Sequence, residues 1–159
     1  MKDLSELLEE ENRICFESFN EQVSWELGSR AADFCRKEQL PVAIRIERDE
    51  QILFQAALPG SCRDNDLWLA GKARIVRHFR HSSFYISRKL IQSNSDISKY
   101  SLDPALYRAK GGGVPLFLKD GTIAGVLIIS GLKDVDDHNL AVRICREYLK
   151  AKSLPSDDI

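Results

Sequence analysis

Residues 42–58 read VAIRIERDEQILFQAAL, and this stretch decides the fold. Val42, Ile44 and Ile46 alternate with Ala43, Arg45 and Glu47, the period of a half-buried strand. After the polar run Arg48, Asp49, Glu50 and Gln51, the alternation resumes at Ile52, Phe54, Ala56 and Leu58. So short a connection joins antiparallel neighbours and leaves no room for a parallel crossover, which makes the segment a hairpin that stops at Pro59 and Gly60. A second hairpin is predicted where Pro115 to Leu118 and Thr122 to Ile129 flank Asp120 and Gly121. Its last strand is nearly all apolar, which places it at the centre of the sheet.

Helical spacing surrounds the two hairpins. Asp3 is a cap for Leu4, Leu7, Leu8, Ile14 and Cys15, predicting an N-terminal helix within residues 1–18. Asn20 caps a second helix to about Lys37, with Val23, Leu27, Ala31, Phe34 and Cys35 on one stripe. A third covers roughly Asp64 to Arg80 and a fourth Phe84 to Gln92. The Ser, Asn, Asp and Gly content from Ser93 to Gly113, broken at Asp103 and Pro104, predicts an irregular excursion, and long loops of this kind are usually functional. Asp134 caps a final helix carrying Leu140, Ala141, Ile144, Cys145, Tyr148 and Leu149, and residues 153–159 are a flexible tail. The order predicts one domain over residues 1–159, of the α/β class and α+β type: an antiparallel sheet of two hairpins covered by helices. A doubly wound parallel sheet is excluded, because strands do not alternate singly with helices.

At 159 residues the chain has the size of one core. Its 23 basic against 24 acidic side chains leave no global field for a polyanion, so nucleic acid is an unsuitable partner. Five acidic residues among the first eleven are the reverse of a signal peptide, and no apolar run is long enough to span a membrane. Cys15, Cys35, Cys62 and Cys145 form no C-x-x-C pair and read as reduced thiols, so the expected location is cytoplasmic.

Lys72 falls inside the apolar stripe of Trp68, Leu69, Ile75, Val76 and Phe79. Its ammonium either enters a pocket to meet an anionic group or snorkels to water over its own stem. The Gly111-Gly112-Gly113 run before Val114 and Pro115 admits a close main-chain approach or an unusual turn; it precedes a strand, whereas a phosphate loop precedes a helix. Ser130 and Gly131 end the central strand where a hydroxyl and amides could hold an anion, although Asp134, Asp136 and Asp137 would repel one and serve more simply as caps. His138 is either a hydrogen-bonded structural residue or an iron or metal ligand; with His78 and His81 it forms no local ligand spacing, so no metal is predicted. The basic cluster from Arg74 to Lys89 reads as a solvated face, and no nucleophile elbow supports a hydrolase.

Taken together, Asp66-Leu67-Trp68 with Lys72, Gly112-Gly113-Val114-Pro115, Gly121 with Gly125, Ser130-Gly131 and Asp137-His138 resemble the GlcG and HbpS-like superfamily. The Trp68 helix and the Asp137-His138 pair look most like its uncharacterised protein family 0303 branch. The match runs from about Asn20 to Lys150. It implies a profilin-like sandwich, assembly into dimers or larger rings, and haem binding or haem degradation as known of some members. The chain departs from the haem-binding branch at Ala73, Arg74, Ile75 and Val76, where small or hydroxyl residues are usual. The resulting expectation is an oligomeric module that binds a small anionic molecule, haem being one possibility, at Trp68, Lys72, Gly112, Gly113, Pro115, Ser130, Gly131 and His138. The alternative is a scaffold in which the same residues hold subunits together, and a haem-degrading enzyme is third.

Overall fold

A computed structural model describes residues 2–154. Five helices, α1 (Leu4–Asn12), α2 (Glu21–Lys37), α3 (Arg63–Phe79), α4 (Ser83–Gln92) and α5 (Asp134–Ser153), surround a sheet of five strands. The strands are β1 (Cys15–Phe16), β2 (Ala43–Arg48), β3 (Gln51–Ala57), β4 (Gly113–Leu118) and β5 (Ile123–Ser130), in the spatial order β1-β4-β5-β2-β3. The two predicted hairpins are the antiparallel pairs β2-β3 and β4-β5, and β5 is the central strand. The β2-β3 turn is built by Asp49 and Glu50, both at positive φ, whose twist suits a two-residue hairpin loop.

The N-terminal reading needs correcting. The predicted helix stops at Asn12, and after Ile14 the chain turns to form β1, which pairs in parallel with β4 at Phe117 and Leu118. Ile14 and Cys15 continue the helical spacing of Leu4, Leu7 and Leu8 by coincidence, because a two-residue strand is too short to show a period of its own. Ile14 and Phe16 are buried in the main core, and Phe16 stacks on Tyr148 of α5 at 5.9 Å. At the other end, Ser153 still belongs to α5, and residues 155–159 of the expected tail lie outside the described residues.

Both faces of the sheet are covered, giving a sandwich of helix, sheet and helix. On one side α2 and α5 bring Leu27, Ala31, Cys35, Leu140, Ala141 and Cys145 onto Ile44, Ile46, Leu127 and Ile129. On the other, Leu69, Ala73 and Val76 of α3 pack on Ala43, Val126 and Ile128. Strand β2 is therefore buried on both faces rather than half-buried. Its polar side chains go under because they are paired: Glu47 meets Arg45 at 3.4 Å and is also bonded to Arg77, while Arg45 Nε donates to Gln55 at 2.8 Å. A smaller cluster, formed by Leu7 of α1, Phe84, Tyr85, Ile86 and Leu90 of α4, and Ile97, fills the β4 end. All four cysteines are free thiols, and among the described residues no helix is long and apolar enough to cross a membrane.

Candidate functional site

The site is set by the start of α3. Asn65 accepts the Cys62 amide at 2.8 Å, which fixes the first turn, and offers its own Nδ2 to the Ser130 hydroxyl at 3.3 Å. Trp68 follows at i+3 and Lys72 at i+7, so the three share the helix face turned toward the β5–α5 junction. The indole Nε1 donates to Asp64 at 3.2 Å, and the Arg108 guanidinium lies 4.6 Å from the ring centre. Lys72 does not snorkel. Only 3% exposed, it donates to the Ile129 carbonyl at 2.9 Å and to Asp137 Oδ2 at 3.1 Å.

Asp137 is the partner that the sequence did not single out for this role. Its carboxylate also accepts the Gly131 amide at 3.3 Å and the Leu132 amide at 3.0 Å. The strand end expected to hold an anion does hold one, and that anion belongs to the chain. Asp134, expected as the α5 cap, is instead the first helical residue; the cap position is Lys133, whose side chain makes no capping bond. Burial pushes the Lys72 ammonium down and the Asp137 carboxyl up, each opposed by the charge of the other.

Above this pair opens a cleft of about 510 Å³ whose lining includes Asn65, Trp68, Lys72, Lys110, Ser130 and Lys133. Of the eight predicted residues, Trp68, Lys72, Ser130 and Gly131 line it. Gly112 sits behind it: at φ +133 a Cβ there would come within 2.2 Å of the Ile129 carbonyl and 2.8 Å of the Lys72 ammonium, so only glycine lets the loop press on the lysine head. Gly113 donates its amide to Ser83 at 2.9 Å and Pro115 is buried in β4, both away from the cleft. Asn65, Lys110 and Lys133 were missed. Asn65 was legible from its place one turn before Trp68; the two lysines come from loops whose course no local pattern gives.

His138 also leaves the predicted set. It points under α1, where Nε2 lies 2.7 Å from Glu10, the ring stacks on Phe84 at 4.8 Å, and Nδ1 has no partner among the described residues. The next acid, Glu11, lies 2.7 Å from His81 and accepts the Ser82 amide at 2.6 Å. Among the described residues, no three His, Cys, Asp or Glu side chains gather as a metal site.

A helix-covered sheet with a cleft between α3 and the β5–α5 junction defines a class of small sandwich domains, and comparison with known proteins gives the family. The family model described as haem degrading protein HbpS-like matches residues 19–145, and the chain belongs to that family and, within it, to the UPF0303 proteins. A UPF0303 protein of Streptomyces coelicolor is 37% identical over 92% of this chain and 93% of its own length. One from Serratia proteamaculans is 35% identical over 97% and 96%. Among solved structures, the Ybr137w protein superposes with a TM-score of 0.86 at 29% identity, covering 94% of this chain and 89% of its own. The PduOC:Heme complex shares the fold with a TM-score of 0.67 at 19% identity, over 82% of this chain and 94% of that one.

Proposed function

We propose that this chain is a cytoplasmic small-molecule-binding module whose cleft takes a ligand bearing a carboxylate or similar acid. The observation that carries this reading is an imbalance in which polar groups of the lining already hold a hydrogen-bond partner. Of the acids in the lining, Asp137 is bonded to Lys72 and two amides, Asp64 to the Trp68 indole, and Asp134 to the Val135 amide. Asp64 and Asp134 keep their charge, but the ammonium groups of Lys110 and Lys133 have neither a hydrogen-bond nor an ion-pair partner among the described residues, and these are the groups left to meet an incoming anion. Beneath them, Lys72 is matched by Asp137 and forms the floor, while Trp68 supplies an apolar wall.

Haem is the ligand that the HbpS-like family and the PduOC:Heme complex bring forward. The lining of the cleft holds no imidazole, thiolate, thioether or phenolate to bind iron, its one buried amine is held by Asp137, and His138 lies under α1. These residues do not fit haem held through its iron, and no step of haem degradation follows from them. Trp68 reports on the cleft directly, since the other tryptophan, Trp25, lies against Phe54 on the far side of the sheet. Titration with small carboxylates is expected to change Trp68 fluorescence, and Lys110→Ala with Lys133→Ala to weaken the response. A Soret shift with hemin that disappears in Trp68→Ala would place haem in the cleft and overturn the misfit with haem; fluorescence unchanged by every carboxylate would overturn the reading itself.

A second reading, subunit assembly, has its own observation. The outer edge of β3 is unpaired among the described residues, carries no charged residue over Gln51–Ala57, and exposes Ile52 of the strand (49%), with Trp25 of α2 also exposed (62%). It supports a homo-oligomer, a dimer or larger ring, held at that edge. Ile52→Lys is expected to reduce its size in size-exclusion chromatography without touching the cleft.

A further inference from the structure

Trp68 and Lys110 are walls of two cavities. Beyond the cleft, on the other side of these residues, lies a chamber of about 480 Å³ between α4 and the 93–110 loop. Its walls are mainly apolar, with Leu90, Ile91, Ile97, Pro104, Tyr107 and Ala109. Leu90 and Ile97 belong to the buried cluster beneath, so the floor is part of the core, while Ile91 stands at the rim, 59% exposed.

The loop that forms one wall of this open chamber is anchored. The Arg108 amide donates to the Gly71 carbonyl at 3.2 Å, and its stem fills the space over Gly71, where a Cβ would come within 2.5 Å of Arg108 Cγ. The guanidinium then covers Trp68. Arg74 Nη1 donates to the Leu106 carbonyl at 2.9 Å and fastens the same loop a turn further along α3. A charged mouth and a mainly apolar chamber thus share Trp68 and Lys110 as walls.

We infer that the site is bipartite and takes an amphipathic monocarboxylate: the acid sits between Lys110 and Lys133, and an aryl or alkyl body passes Trp68 into the apolar chamber. This rests on the cleft reading above and deepens it by naming the ligand class. Apolar pockets of this size with a few convergent polar groups suit such molecules, whereas a short hydrophilic acid would leave the chamber walls in water. Each methylene buried in the chamber tightens binding by roughly three- to four-fold.

The test is a titration of the ¹⁵N-labelled protein with acetate, phenylacetate and 4-phenylbutyrate, following amide shifts at Lys110, Lys133 and Ala109. Affinity is expected to rise along the series in the wild-type protein. Ala109→Trp, which fills the chamber, should remove the gain; Ile91→Asn, at an exposed position that keeps the fold intact, should reduce it. Acids that bind equally whatever their length overturn the bipartite site and leave the cleft reading standing, as does a gain that survives Ala109→Trp. A series in which no acid shifts the Lys110 and Lys133 amides overturns the cleft reading itself.

Discussion

Asp137 and His138 are consecutive residues of α5, and they serve different regions of the molecule. A helix turns each residue about 100° from the last, so one side chain reaches the cleft and the other the underside of α1. Each completes a buried pair, Asp137 with Lys72 and His138 with Glu10. Both pairs are buried, and what lies over them differs: a cleft over the first and the nine-residue helix α1 over the second. Their charge balance differs too. Burial dominates at the cleft and drives both partners toward neutrality. Burial also raises the Glu10 carboxyl, but bonds from His138 and Lys2 outweigh it, and the group ends below the ordinary glutamate value. The cleft pair is therefore expected to be held at a cost in stability, and the α1 pair to help fasten its helix.

Breaking the cleft pair should have the largest effect. Lys72→Met leaves Asp137 buried without its cation and is expected to lower unfolding free energy by about 3–5 kcal/mol, read by urea denaturation. The double variant Lys72→Met with Asp137→Leu should recover most of that loss, because the desolvation of both charges disappears together. A double variant no more stable than the single one would show that the pair contributes net stability, and the contrast with α1 would vanish.

Acid should divide the two regions by sign. Glu10 has a folded pKa below its unfolded one, so its contribution is complete above the unfolded value and lost as the pH falls through the folded value. Asp137 has a raised folded pKa and makes the opposite contribution, stability growing as the pH falls through that value. Amide exchange in α1, corrected for the intrinsic pH dependence, is expected to accelerate on acidification before that of Gly131 and Leu132. Glu10→Gln should cost about 1–3 kcal/mol at neutral pH and flatten the acid response of α1.

The smallest effects concern binding. Lys110→Ala should weaken a bound carboxylate by about two- to five-fold, as expected for an exposed charge pair, and leave the melting temperature unchanged. His138→Gln should leave cleft affinity unchanged. Weaker binding in His138→Gln would mean that the two sides of α5 communicate.

These contrasts mark where local pattern ends. Alternation along Val42 to Leu58 and the Asp120-Gly121 turn make both hairpins legible, and helical spacing places four of the five helices to within a few residues. Strand β1 was not legible, because two residues carry no period. The burial of Arg45 and Glu47 was hidden as well, since polar side chains look solvent-facing until Arg77 arrives from α3 to pair with them. In the site, the inward course of Lys72 follows from one helix's geometry. Its partner lies 65 residues away, and the direction of His138 depends on where α1 docks; both are properties of the closed fold.

The parallel pairing of β1 with β4 sets a timetable for the chain. Cys15 and Phe16 leave the ribosome early, but the strand that receives them, at Phe117 and Leu118, follows roughly a hundred residues later, a separation that makes this contact among the slowest to close. Until then Ile14 and Phe16 have no seat in the core, and α1 has no firm base from which to cover His138. The seal over that histidine is accordingly a late event in folding, completed after the cleft side of the sheet can already be in place.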